Sequence, residues 1–189
     1  GGIILDLRRM NKTLEINELD RLVRIEPGVT WEQLQSELAE RGYRCMIPLL
    51  PYWENSVMTS WLERDVPVNP RYEYAEPHMT TEIVWPNGDI MRTGSASTPG
   101  YPHDSPVKGG YTHGPGLDWF RLIQGAQGTM GVATWINIKF EYLPKLDKTY
   151  FIAFDSIEDA IEPTYAIQRR MIGNECLILD NLNAAVIFA

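Results

Sequence analysis

The chain predicts an α+β fold, and three patterns carry that prediction. Residues 31–41 hold an amphipathic helix with clear signals at both ends. Residues 81–93 hold two β-prone runs around Pro86-Asn87-Gly88-Asp89, a strong hairpin signal. From Val132 to Tyr142, apolar and polar residues alternate with period two, as in a strand with one buried face.

The elements follow in chain order. Residues 3–7 (IILDL) and 21–26 (RLVRIE) read as short strands around a turn containing Asn11, Lys12 and Asn17. Thr30 is a good N-cap, with Gln33 placed as its capping-box partner. Trp31, Leu34 and Leu38 form an apolar stripe, Glu37 and Arg41 are spaced as an i,i+4 pair, and Gly42 marks the stop. Residues 48–80 are rich in Pro, Tyr and charge, with SVMTSWLER as a short helix. The hairpin pairs Thr81–Trp85 with Ile90–Thr93. Residues 94–116 are rich in Gly, Pro, Ser and His and read as a long loop, a length that often serves function. LDWFRLIQG then gives a short helix, with Asp118 near its start and Gly125 at its end. The alternating strand follows, and Pro144 ends it. Beyond it, YFIAF, the helix SIEDAIEPTYAIQRRMIG and ECLILD form a β-α-β unit. Ser156 caps its helix. Ile157, Ala160, Ile161 and Thr164 share one face, and Pro163 should kink or divide it. A domain boundary is expected near Pro144, giving regions 1–144 and 145–189.

Bulk properties exclude several functions. The 189 residues are 44% hydrophobic and 22% charged, ordinary for a globular protein with a real core. A net charge of −8 argues against nucleic acid or an anionic membrane as partner. No apolar run is long enough to span a membrane. The start lacks a basic region and cleavage site, and both ends read as cuts through a longer protein. Cys45 and Cys176 lie far apart and read as free thiols in a reducing compartment, the cytoplasm.

Little classical site chemistry is present. His78, His103 and His113 lack metal-ligand spacing, so no metal is expected. Glu54, Glu63, Asp65, Glu73, Glu76 and Glu82 read mostly as a solvated face. Glu73 and Glu76 sit among aromatics, where a raised pKa is plausible. The segment GAQGTMGVAT spaces Gly125, Gly128 and Gly131 three apart. A dinucleotide fingerprint follows a strand and opens a helix; here a helix precedes and a strand follows. One reading is a tight helix-to-strand turn using positive φ. The other is a close approach of bare backbone amides to phosphate or a flat heterocycle.

Four stretches together resemble the FAD-binding domain of the vanillyl-alcohol oxidase/p-cresol methylhydroxylase flavoproteins: GGIILDLRRMNKTLEIN, VRIEPGVTWEQLQSELAERG, TEIVWPNGDIMRTGS and GPGLDWFRLIQGAQGTMGVATWINIKFEYLP. The resemblance covers about residues 1–144, in order. It implies the second FAD subdomain, with the glycine-rich pyrophosphate loop in a first subdomain upstream. Residues 148–189 resemble the start of the substrate-binding cap. The chain alone is therefore expected to be inactive and to hold FAD poorly. SVMTSWLER resembles the family's Ser-x-x-Gly-Asn-x-x-Glu-Arg segment, which lies along FAD. Ser56, Glu63 and Arg64 match, while Thr59 and Ser60 replace Gly and Asn. The Cβ of Thr59 is expected to crowd the cofactor. Gly128, Thr129, Met130, Gly131 and Val132 match a run whose backbone contacts FAD. Glu73 falls where the phenol oxidases carry an Asp near the flavin, implying an acid/base or flavin-tuning role.

The implied activity is oxidation of an alcohol, phenol or 2-hydroxy acid by hydride transfer to flavin. Oxygen or a redox carrier would take the electrons. A non-catalytic interaction module that keeps the fold without the cofactor is the alternative. A transferase or hydrolase built on the acids has only scattered carboxylates in its favour. Homo-oligomerisation and a covalent flavin link stay open.

Overall fold

The computed structural model describes residues 3–49, 51–65, 78–97 and 119–188. Among them, 3–65 with 78–145 form one compact unit, and 146–188 belong to a second.

The first unit is built on an antiparallel sheet. Its strands are β1 (Thr13–Asn17), β2 (Leu22–Ile25), β3 (Tyr43–Cys45), β4 (His78–Val84), β5 (Ile90–Arg92) and β6 (Val132–Tyr142). Their order is β1-β2-β6-β4-β5, with β3 also paired to β6. Helix α1 (Trp31–Ala39) buries Trp31, Leu34 and Leu38, the stripe its sequence predicts. With Val23, Ile25, Ile136, Ile138 and Phe140 from the sheet, and Val57, Met58 and Trp61 from helix α2 (Val57–Leu62), they form the core. Cys45 lies in that core, and its Sγ donates to the Lys139 carbonyl at 3.5 Å. Burial pushes this thiol far up, so it stays protonated. Cys176 is half-buried.

Local expectations survive with specific changes. Thr30 caps α1 by accepting from the Gln33 amide at 3.2 Å. The Gln33 side chain does not return to the cap; it donates to the Asn11 carbonyl and to Glu37 instead. Arg41 pairs with Glu18, 3.3 Å away, rather than with Glu37. Residues 3–7 form no strand, and Ile3 and Ile4 are almost wholly exposed. The first strand starts at Thr13, opposite Ile25 of β2, and the two strands close across a short turn held by Asn17 and Asp20. The hairpin forms as expected, with Gly88 at φ +88°.

The long strand departs from strict alternation. Glu82 pairs with Trp135 but Ile83 pairs with Ala133, leaving Thr134 in a bulge. The inward face is therefore Ala133, Ile136, Ile138 and Phe140, and Thr134 leaves the expected row. Its hydroxyl donates instead to Glu82 Oε1 at 2.7 Å.

A polar row crosses the other face. Arg24, nearly buried, pairs with Glu15, donates to Asn137 and lies 4.5 Å over the Trp135 ring. Asn137 donates to Thr80 at 2.7 Å. Glu82 and Arg92 pair at 2.8 Å with little exposure, so Glu82 is not part of a solvated face.

In the second unit, Ser156 caps helix α3 (Ile157–Arg169), which runs through Pro163 without a break. Of the face expected to be apolar, Ala160 is buried, while Ile157 and Ile161 are exposed. The flanking 150–154 and 175–180 are not strands, so the expected β-α-β is represented by its helix alone. A strand needs an edge to pair with, and none is offered to these runs among the described residues. Residues 181–188 form a helix, α4 (Asn181–Phe188), that the sequence did not suggest. No helix among the described residues is long and apolar enough to cross a membrane.

Burial pushes the Glu82 carboxyl up, but hydrogen bonds from Thr134 and Arg92, the Arg92 charge and the Trp135 indole outweigh it, leaving it below its ordinary value. A depressed folded pKa stabilises the fold above the unfolded carboxylate value, near 4.3. That contribution is lost as pH falls through the folded value. Urea midpoints between about pH 7 and pH 3 should therefore fall less steeply for Glu82→Gln than for the natural chain. Parallel acid limbs would refute this assignment.

Candidate functional site

Two segments singled out by sequence, about 70 residues apart, meet in the first unit. One is α2, the other the turn from Gly125 to Gly131 that leads into β6. Ser56 caps α2: its hydroxyl accepts from the Thr59 amide and donates to the Pro27 carbonyl. An indole edge contact, Trp31 on Trp61 with ring centroids 5.8 Å apart, seats α2 on α1. Ser60 is buried and accepts from Trp31 Nε1 at 3.0 Å. Thr59, one position earlier, is exposed.

The C-terminal end of α2 is completed by the turn. A helix leaves its last carbonyls without partners. Here the Gly125 amide donates to the Leu62 carbonyl at 2.6 Å, and Gln124 Nε2 donates to the Trp61 carbonyl at 3.2 Å. The Asp65 amide returns to the Ser60 carbonyl at 2.9 Å, the long bond of a Schellman stop.

The three glycines serve different ends. Gly125 (φ +77°) and Gly128 (φ +72°) lie in the left-handed region, and so does Gln127 between them (φ +51°). Gly131 has no such need. A Cβ there would come within 2.7 Å of the Val84 carbonyl oxygen and 2.8 Å of Ile83 Cγ2, so it permits β4 and β6 to close. Thr129 is tied to Ala126 through both its amide and its hydroxyl. Met130 is exposed, and Val132 pairs with Val84.

Among the described residues, the amides of Gln127, Gly128 and Met130 have no protein acceptor. Two buried atoms at the junction, Trp61 Nε1 and Gln124 Oε1, also lack partners. Amides without acceptors on an exposed turn suit a ligand rich in phosphate and carbonyl oxygens, as FAD is. Ser56 and Ser60 spend their hydroxyls inside the protein, so they shape α2 rather than offer free groups. Sequence reasoning passed over Trp61, Gln124 and Gln127, which carry no motif. Glu73 lies outside the described residues, as do His103 and His113. No group of three metal-ligating side chains occurs among the described residues.

Comparisons with known proteins bear on the fold and the family resemblance. Residues 1–57 match the model of a family described as FAD binding domain. The chain is 28% identical over 175 residues to the 4-cresol dehydrogenase [hydroxylating] flavoprotein subunit of Pseudomonas putida, covering 92% of this chain and 32% of that protein. It is 27% identical over 168 residues to the mitochondrial D-lactate dehydrogenase [cytochrome] of Arabidopsis thaliana, covering 88% of this chain and 27% of that one. The solved structure of p-cresol methylhydroxylase with substrate bound superposes with a TM-score of 0.67 at 28% identity, over 88% of this chain and 32% of the other. The resemblance to the vanillyl-alcohol oxidase/p-cresol methylhydroxylase flavoproteins, and the α+β fold it implied, are borne out. The chain spans about a third of the length of these relatives.

The glycine assignments can be separated by stability. Gly131→Ala should cost about 1–3 kcal/mol through overpacking against β4. Gly128→Ala, with nothing within 4 Å of the added methyl, should cost about 1 kcal/mol through backbone conformation alone. Urea denaturation reads both. A Gly131→Ala chain as stable as the natural one would contradict the β4 contact.

Proposed function

We propose that this chain is the second FAD-cradling subdomain of an FAD-dependent oxidoreductase acting on an alcohol, phenol or 2-hydroxy acid. The observation that carries the reading is the junction of α2 with the glycine turn, where free amides and unpartnered buried atoms gather at the segments the flavoprotein family uses for FAD. FAD, when bound, supplies hydride acceptance; oxygen or a redox carrier would take the electrons onward.

The chain's own share is placement. In the run from Gly128 to Val132, the free amides of Gly128 and Met130 would donate hydrogen bonds to FAD, and α2, fixed by Ser56 and Ser60, would hold one wall. A fixed wall matters because hydride transfer demands close, oriented approach. Glu73 enters the proposal as an acid/base or flavin-tuning group, on its place in the sequence. The residues from 146 on would begin the cap over the substrate, and the chain alone would hold FAD weakly. The exposed Thr59 favours the second reading, a module that keeps the fold without cofactor, because it adds bulk where the family has Gly.

The full-length gene product containing this chain should be purified and its visible spectrum recorded. Flavin absorption that a phenol, alcohol or 2-hydroxy acid bleaches without oxygen is the expected result. A colourless full-length protein that ignores added FAD would sink the oxidoreductase and leave the interaction module. In the flavin-loaded protein, Glu73→Gln should slow single-turnover bleaching by about 100-fold or more. An unchanged rate would remove Glu73 from the chemistry.

A further inference from the structure

Arg64 occupies an unusual backbone position. It follows the C-cap Glu63 of α2, where the chain turns left-handed at φ +63°. Glycine is the usual residue there, and any side chain adds a conformational cost. Strain of this kind persists when something is gained by it.

The Arg64 side chain runs onto the glycine turn. Its Cδ lies 3.9 Å from where a Gly125 Cβ would be, so the stem lies beside that residue. Its neighbours Glu63 and Asp65 are exposed acids, yet Arg64 makes no ion pair or hydrogen bond among the described residues. The free amides of Gln127, Gly128 and Met130 follow two to five residues further along the same turn. A guanidinium fork and several backbone amides are donors without acceptors. Gln127 and Gly128 are the central pair of a turn closed by the Thr129 amide on the Ala126 carbonyl, and turn amides without acceptors can receive an anion.

We infer that Arg64 and the amides of Gln127, Gly128 and Met130 form one binding corner for a small oxyanion. The inference rests on the cofactor-facing reading of the turn and extends it with a ligand class and a cationic residue. The oxyanion is a phosphate group of the cofactor or a carboxylate of the substrate.

The test uses the 189-residue chain, with inorganic pyrophosphate and D-lactate titrated separately by calorimetry at low salt. Arg64→Gly and Arg64→Gln are compared with the natural chain, and each is also melted. Arg64→Gly should melt at the same or a higher temperature, because glycine suits φ +63°. Both variants should bind pyrophosphate about ten-fold more weakly or worse, and added salt should weaken the natural chain's binding. If D-lactate alone binds in an Arg64-dependent way, the corner stands and its oxyanion is a substrate carboxylate. No saturable binding of either anion, or equal affinity in a stably folded Arg64→Gly chain, would overturn the inference. A full-length protein that takes up no flavin, with a 189-residue chain that still binds pyrophosphate through Arg64, would sink the proposed function but leave this corner. A flavin-loaded full-length protein, with an Arg64→Gly 189-residue chain of undiminished pyrophosphate affinity, would do the reverse.

Discussion

Strand β6 is the constraint on which the first unit depends. β2, β3 and β4 all pair with it, so its register sets the register of the sheet. Its start is therefore not free to wander. Gly131 lets the chain pass close to β4, and Gly125 bonds to the last turn of α2. The α2 end is in turn fixed by two indoles and a buried serine. Core packing, sheet register and the placement of the turn amides are thus one mechanical assembly. A displacement of α2 would move the amides as well, which is how a rigid scaffold can support precise contacts.

What the sequence made legible was mostly local. The Thr30 cap, the Trp31/Leu34/Leu38 stripe and the Asn87–Gly88 turn each depend on neighbours within a few residues, and each formed. What it hid depends on distant partners. The bulge at Thr134 needs Glu82 to accept its hydroxyl, a residue 52 positions away. Arg41 exchanges the expected Glu37 for Glu18, across 23 positions. Runs such as 3–7 and 150–154 have strand composition, but composition alone supplies no edge to pair with. The site was legible in the same uneven way. Its two segments could be named from the sequence, whereas the bonds from Gly125 and Gln124 that bring them together could not.

The three glycines show why spacing is a poor guide to purpose. Equal intervals suggest one motif with one role. The geometry gives Gly125 and Gly128 to a left-handed turn and Gly131 to strand packing. Among the described residues, the amides of Gln127, Gly128 and Met130 in this turn have no acceptor. The cofactor reading therefore does not need every glycine to be a clearance residue, and it loses nothing when Gly131 is assigned to the sheet.

The same separation applies to the two departures from the family's Gly-Asn pair. Ser60 points into the core, where its hydroxyl completes the Trp31 indole. A buried indole N–H left without an acceptor costs about 1–3 kcal/mol, so this serine is accounted for by the fold. Thr59 lies at the surface, since successive positions on a helix are turned about 100° apart. Its Cβ adds volume outside the protein, where a cofactor would have to approach. The departure at 60 is thus a matter of stability, and on the proposed function the departure at 59 becomes a matter of ligand access. If α2 borders FAD, Thr59 is the residue that narrows that border, and Thr59→Gly would widen it without disturbing the Ser60–Trp31 bond that holds the helix in place.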